Sequence, residues 1–360
     1  MTELSSGLVP EREQVRSTPP DQPFWSENMM FAMYDPTSDV GMMFHLGSRP
    51  DDWSMWHDQA YVMLPPGRLG DDGGVAWMWA YHRTTAERKP AGSNLAFRCV
   101  EPFRRWRVEF DGYMLPTPNH EMTTGLAREG AHERVVVDLD VAMLTPAWDI
   151  AAAADEPTAR GTWVSQGWAD THYQQLYRAT GTVRVGAAES PFLGYGWRDH
   201  STGTRGAPVE EVTAPWGGHV TVGSVFPESG RAWSFSRYFQ PDGEISLDAG
   251  YVVLDGELHQ ARVNRSPRLD QLVLDGEILR ATLEWDGGAL DAELTTRRSL
   301  WMAMRLGMVV GLDLDGPGMM YVINHGPTMW DGEVGTFYIE RSDMQNMRPP
   351  QLLDRGNIVQ

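Results

Sequence analysis

Eight Asp-Gly dipeptides, starting at positions 72, 111, 242, 255, 275, 286, 315 and 331, punctuate this chain and limit its fold more than any other feature. A two-residue β-hairpin turn needs φ > 0 at its centre, a conformation that Asp-Gly adopts with little strain. Six of the eight lie beyond residue 240, so the C-terminal third reads as an antiparallel meander with strands at 250–254, 271–274 and 278–285. Elsewhere, segments such as 134–141, 181–185 and 218–226 alternate with the period of a strand that buries one face. Helix signals are confined to an Ala-rich stretch at 147–155 and to 297–305. No short repeat is present, which favours barrels or sandwiches over propellers or solenoids. The chain is read as mainly β, antiparallel, with few helices.

Its 360 residues exceed what one hydrophobic core ordinarily serves, because chains beyond ~250–300 residues tend to divide. The Ala-rich stretch and the following Asp155-Glu-Pro-Thr158 mark a linker near 150–170. The expected organisation is a polar tail at 1–23, a first domain at 24–165, a second at 166–345 and a tail at 346–360.

The formal charge of −19, from 49 acidic and 30 basic side chains, repels phosphate and anionic headgroups, so nucleic acid is not an expected partner. No apolar run reaches the ~18 residues of a membrane span, and the first residues lack a signal-peptide core, which gives a cytoplasmic expectation. The single Cys99 cannot form an internal disulfide and is read as a small buried apolar residue. The 20 Met and 15 Trp supply polarizable walls suited either to a bulky apolar ligand or to an ordinary core. The expected partner is a hydrophobic small molecule, with a homodimer as the macromolecular assembly compatible with the chain.

There is no dinucleotide fingerprint, Walker loop or nucleophile elbow. The 10 histidines lack the H-x-H or H-x-x-x-H spacing of a local metal site. Neither a cofactor nor a metal is expected.

The densest chemical segment is Gly194-Tyr-Gly-Trp-Arg-Asp-His-Ser201. In a regular strand Tyr195, Trp197, Asp199 and Ser201 share one face while Arg198 and His200 share the other. Asp199 and His200 then address one cavity only if the strand is bulged or ends there, for which Gly194, Gly196 and Gly203 give room. An aspartic acid beside Trp197 and Tyr195 in an apolar pocket would hold its proton more tightly, as a general acid requires. Equally, Arg198, Asp199 and His200 could pin strands or domains together. His172 and Tyr173, within Asp170-Thr-His-Tyr-Gln-Gln175, could orient a substrate oxygen, relay a proton or form an interdomain network. Trp233, Phe235, Arg237 and Phe239 share a strand face with Tyr238 opposite, the pattern of a barrel lining or a core. His45, His57, His325 and Trp330 read as rim or packing residues. The basic cluster Glu101-Pro-Phe-Arg-Arg-Trp-Arg107 reads as an ionic seam between domains.

In order and spacing, that basic cluster with Asp111-Gly112, His172-Tyr-Gln-Gln175 and the 194–201 segment resemble the paired domains related to the carotenoid 1,2-hydratase and AttH-like lipocalin superfamily, over roughly 24–340. The resemblance implies two consecutive lipocalin-like antiparallel β-barrels packed together, with a pocket for a hydrophobic molecule. It also implies alkene protonation followed by water addition or ring closure, without an organic cofactor. Carried over to this chain, the Asp-His element is Asp199 and His200. The family pattern continues Asp-His-x-Trp-Gly, whereas Thr202 stands in the Trp place here, removing an aromatic surface that could face a cation.

The expected function is therefore a cofactor-independent hydratase, dehydratase, cyclase or isomerase acting on a terpenoid, steroid or similar apolar substrate. Asp199 would move the proton, and His200 or His172 would position water or a hydroxyl. Tyr195, Trp197, Arg198, Tyr173, Trp233 and Tyr238 would contact substrate. A non-catalytic carrier of a hydrophobic molecule is the alternative, and an interaction module with filled barrels is a third reading.

Overall fold

A computed structural model describes residues 3–16, 18–49, 52–83, 92, 94–124, 126, 129–163, 169–204, 217–270, 273–305 and 318–343. Its strands are β1 (Trp25–Asp35), β2 (Val40–Ser48), β3 (Met55–Leu64), β4 (Gly74–Arg83), β5 (Leu95–Glu101), β6 (Arg105–Pro118), β7 (Glu133–Met143), β8 (Trp148–Asp149), β9 (Arg160–Gly161), β10 (Thr171–Val185) and β11 (Ala188–Thr204). They continue as β12 (Gly218–Phe226), β13 (Arg231–Phe239), β14 (Ile245–Leu254), β15 (Glu257–Arg265), β16 (Ile278–Trp285), β17 (Gly288–Thr295), β18 (Arg298–Arg305), β19 (Gly318–Trp330) and β20 (Glu333–Asp343).

Eight strands, β1-β2-β3-β4-β6-β7-β10-β11, pair in that order, and β11 returns to β1 to close an antiparallel barrel. A second ring runs β12-β13-β14-β15-β16-β17-β19-β20, with β20 paired back onto β12. This is the expected lipocalin-like pair. Closure leaves β5 and β18 as flanking strands, on β6 and β19 respectively.

The Asp-Gly signal works as anticipated at two hairpins, whereas Asp286-Gly287 joins β16 to β17 without positive φ at either residue. Asp255-Gly256 (φ 51° and 80°) joins β14 to β15, and Asp331-Gly332 (φ 50° and 83°) joins β19 to β20. Asp111-Gly112 instead lies inside β6, and Asp315 falls outside the described residues. Two local expectations are corrected. The segment 297–305 forms β18 rather than a helix, because its residues pair with β19 along their whole length. Val273 and Leu274 are not in a strand. The Ala-rich stretch yields one turn of helix, α1 (Ile150–Ala153), capped by Asp149, which accepts from the Ala151 N–H at 3.0 Å.

The division of the chain also differs from the expected break at 165/166. β10 and β11 complete the first barrel, since β10 pairs with β7 and β11 pairs with β1. Between β8 on the first sheet and β10, the chain visits the second sheet, where β9 pairs with β14. The motif-bearing strand β11 is thus a wall of the first barrel.

Strand alternation sorts the apolar residues into three cores. Phe31, Phe44, Trp106, Val137 and Tyr177 fill the first barrel, and Val222, Trp233, Phe235, Leu283 and Ile339 fill the second. The third core lies between the barrels, where Met30, Met43, Trp148, Trp197 and Leu176 meet Tyr238, Tyr251, Trp301, Met302 and Tyr338. Six of the 20 Met and four of the 15 Trp are buried in this seam, where flexible thioethers fill the gap between two curved surfaces. Polar contacts stitch it: Arg298 Nη2 lies 2.5 Å from Asp39 Oδ2, and Trp148 Nε1 donates to Gln260 Oε1 at 3.3 Å.

Candidate active site

Strand β11 is regular from Tyr195 to Thr204 in its pairing with β1. No bulge intervenes, and Asp199 and His200 point to opposite sides. The inward glycines serve packing: a Cβ on Gly196 would lie 2.7 Å from the Tyr177 ring and 2.1 Å from the Ala32 carbonyl oxygen.

Inside the first barrel, Arg198 and His200 join Tyr173 and an N-terminal arm. The arm ends in a 3₁₀ turn, Pro10–Glu13, that inserts Glu13 into the barrel. Arg198 Nη1 lies 2.8 Å from Glu13 Oε1, and Arg198 Nη2 donates to the Tyr173 hydroxyl at 3.2 Å. Tyr173 donates to Glu13, while Trp106 Nε1 and the Phe103 N–H donate to its other oxygen at 2.8 and 2.9 Å. His200 sits between Glu27 at 2.8 Å and the Tyr173 hydroxyl at 3.2 Å. Apart from Arg198 Nε, the polar atoms of these side chains meet protein partners, so Arg198, Tyr173 and His200 form a clasp for the arm. They are separated from Asp199 by the wall of the barrel. Trp233 lies in the second barrel's interior core and is likewise not brought to Asp199.

On the outer face, Asp199, Trp197, His172 and Tyr238 do converge at the seam, with the half-buried Tyr195 packed at its margin. Gln174, opposite Asp199 on β10, organises them. Its Oε1 accepts from Trp197 Nε1 at 3.1 Å, and its Nε2 donates to Ser236 Oγ at 3.1 Å and to His172 Nε2 at 2.8 Å. Because His172 Nε2 accepts, the ring proton belongs on Nδ1, which faces Asp199 Oδ2 at 3.7 Å. Trp163 packs against both His172 and Tyr238, with ring centroids at 5.7 and 6.3 Å.

The second barrel presents a matching group that the sequence reading missed. Glu340 accepts from the hydroxyls of Tyr321 and Tyr338 and from His219 Nε2 at 2.7 Å. Burial pushes the Glu340 carboxyl up, but the His219, Tyr321 and Tyr338 hydrogen bonds outweigh it and hold the group below the usual carboxylate range. Burial, then the charge of Glu340, raises both phenols well above the ordinary tyrosine value, and the Asp199 charge adds to this. Trp197 stacks on Tyr338 at 5.1 Å with planes 17° apart, which carries contact from the Asp199 strand directly onto this group. The period-two spacing of Tyr338, Glu340 and Ser342 was the available signal.

Other expectations resolve differently. Arg105 and Arg107 pair with Asp140 and Asp138 on the exposed face between β6 and β7, so the basic cluster is a local solvent-facing ladder and not an interdomain seam. His45 and His57 are buried and stacked, with His57 Nε2 3.1 Å from His45 Nδ1. Cys99 is half-buried, and burial with the charge of Glu13 pushes its thiol up to about 12, which suppresses thiolate chemistry. Among the described residues no group of three or more His, Cys, Asp or Glu is placed to hold a metal ion, and no helix is long and apolar enough to cross a membrane.

Residues 10–345 match the model of a domain of unknown function, DUF7064. The chain belongs to this family. Among solved structures, a protein described as AttH from Nitrosomonas europaea is 11% identical, with a TM-score of 0.56 over 96% of this chain and 100% of the other. It shares the lipocalin-like double-barrel fold with this DUF7064 member. Kievitone hydratase from Nectria haematococca is 10% identical, with a TM-score of 0.47 over 96% of this chain and 98% of its own. CghA in complex with Sch210972 is 10% identical, with a TM-score of 0.46 over 90% of this chain and 89% of its own. No curated protein sequence matches.

Proposed function

We propose that this protein is a cofactor-independent acid–base enzyme, a hydratase, dehydratase, cyclase or isomerase, acting on a hydrophobic terpenoid-, steroid- or isoprenoid-like molecule at the seam between its barrels. The observation that carries the reading is the placement of Asp199. Its side chain is 15% exposed, beside a His172 whose ring proton faces it, on the strand whose Trp197 stacks on Tyr338 of the other barrel.

Protonating an alkene or taking a proton from carbon needs a carboxyl group in a site of low polarity, where electrostatic effects are large and water is admitted selectively. Asp199 supplies the carboxyl group and His172 orients it. The faces of Trp197, Tyr238 and Trp163 suit a carbocation, for which a π surface is an attractive neighbour. Trp197 offers an aromatic face two residues before Asp199, on the same side of the strand, in a chain that has Thr202 at the family's Trp position. His200, Arg198 and Tyr173 act through the fold, by holding β11 in register.

The test is turnover of myrcene, linalool and nerolidol in ¹⁸O- and deuterium-labelled water by the wild type and Asp199→Asn, followed by mass spectrometry. Loss of a general acid is expected to lower turnover by ~10²–10⁴-fold. Equal turnover by both proteins would remove Asp199 from the mechanism. Saturable binding with no label incorporation by the wild type would favour a carrier.

A further inference from the structure

Opposite Asp199, the second barrel carries a hydrogen-bonded unit with no part in the proton donation assigned to that residue. Glu340 Oε1 accepts from His219 Nε2 at 2.7 Å, and Oε2 accepts from both Tyr321 and Tyr338. Behind it, His219 Nδ1 lies 2.6 Å from Ser342 Oγ, which also accepts the backbone N–H of His219 at 3.0 Å. The Glu340 carboxylate can only accept, so a neutral His219 donates from Nε2 and its Nδ1 accepts the Ser342 hydroxyl proton. The proton of the neutral imidazole then sits on Nε2, aimed at Glu340.

The contrast with the buried carboxylates elsewhere is informative. Glu13 meets Arg198 in the first barrel, and Glu277 meets Arg341 at 2.6 Å in the second. Both pairs join an arm or loop to a barrel interior, with a guanidinium as the charged partner of the carboxyl group. The partners of Glu340 are two phenols and an imidazole, groups that can give up, return or redirect a proton. It faces the seam rather than a barrel interior, since Tyr338, Glu340 and Ser342 alternate with the inward Phe337, Ile339 and Arg341.

We propose that Glu340 is the catalytic base partnering Asp199, with His219, oriented by Ser342, as its positioning residue. This rests on Asp199 as the acid of the proposed reaction. In hydration, the Asp199 proton forms a C–H bond with the alkene and leaves a cation at the neighbouring carbon. Water forms the C–O bond there, and its surplus proton passes to the Glu340 carboxylate. Tyr321 or Tyr338 then passes a proton to the Asp199 carboxylate while receiving one from Glu340, so the enzyme ends as it began. Dehydration runs the same transfers backwards: protonated Glu340 delivers a proton to the leaving hydroxyl, and the Asp199 carboxylate removes the C–H proton. The substrate class this implies is an apolar alkene or its tertiary alcohol, reacting at a carbon held between the two carboxyl groups.

The titratable groups around Glu340 are His219 from β12, Tyr321 from β19, Tyr338 from its own strand, and Asp199 with His172 from the first barrel. The test compares kcat and KM against pH for full-length wild type, Glu340→Gln, His219→Gln, Ser342→Ala and Asp199→Asn, with linalool and myrcene as probes. Glu340→Gln is expected to lower kcat by ~100-fold with KM little changed. His219→Gln and, more weakly, Ser342→Ala are expected to move the acid limb of kcat to higher pH, because the ionised base loses a donor. Full turnover by Glu340→Gln while Asp199→Asn is inactive overturns this inference alone. A His219 variant that loses kcat with no movement of the acid limb overturns the positioning role. A second readout needs no substrate: alkaline titration of tyrosinate absorbance should show two phenols ionising at lower pH in Glu340→Gln than in the wild type. An unchanged titration overturns the Glu340–phenol unit whatever Asp199 does.

Discussion

Arg198 and Glu13, 185 positions apart in the chain, meet at 2.8 Å inside the first barrel, and their side chains are 1% and 0% exposed. The guanidinium also lies 4.9 Å from the Trp106 ring centroid. Removing one partner of such a pair leaves an uncompensated buried charge, which costs far more than the pair contributes as a unit. Glu13→Gln is expected to destabilise the protein by ~3–5 kcal/mol, measured by urea unfolding. Replacing both residues, as in Glu13→Leu with Arg198→Met, should recover much of that loss. A single variant as stable as the wild type would mean that the arm is not held by this pair.

The same pair gives an acid sensitivity. Burial pushes the Glu13 carboxyl up, but the Arg198 charge, with hydrogen bonds from Tyr173, Arg198 and the Phe103 N–H, holds it below its ordinary value of 4.5. A carboxyl group depressed on folding contributes stability above its unfolded value and loses it as pH falls through the folded one. Stability should therefore decline below pH 4.5, and this component should be missing from the double replacement.

His325 predicts a second pH dependence at milder acidity. It is fully buried at the seam, parallel to Tyr34 at 6.1 Å and tilted against Tyr338 at 5.6 Å, and burial pushes it down to about 3 from 6.5. Between those values the unfolded chain binds a proton that the folded protein refuses. Stability then falls with decreasing pH at up to ~1.4 kcal/mol per unit. His325→Phe should flatten the stability profile across this window. A slope unchanged in the variant would assign it to other groups.

Gly223 reports on how tightly the barrels are seated. A Cβ there would lie 2.6 Å from Leu176 Cδ2 and 2.9 Å from Trp197 Cδ1 across the seam. Gly223→Ala should cost ~1–3 kcal/mol through overpacking and weaken the near-ultraviolet circular dichroism contributed by the Trp197–Tyr338 stack. Unchanged spectra and unfolding would show that the seam yields without penalty.

The sequence by itself determined the strand-rich character of this chain and the faces of its strands. The Asp-Gly turns at 255 and 331 and the alternation through 195–201 are local, because turn conformation and side-chain direction depend on a few neighbouring residues. Alternation alone set Asp199 against His200. It could not say which face of β11 enters a barrel and which meets the other barrel, since that is fixed by pairing with β1 and β10. Nor could it show that β10 and β11 complete the first barrel, or that Glu13 is the partner of Arg198. The gathering of Asp199, His172 and Gln174 opposite Tyr321, Tyr338 and Glu340 was likewise decided only by the tertiary structure. Those residues lie far apart in the chain, and each barrel positions its share on a curved outer wall. Burial of the apolar seam then makes the two walls meet.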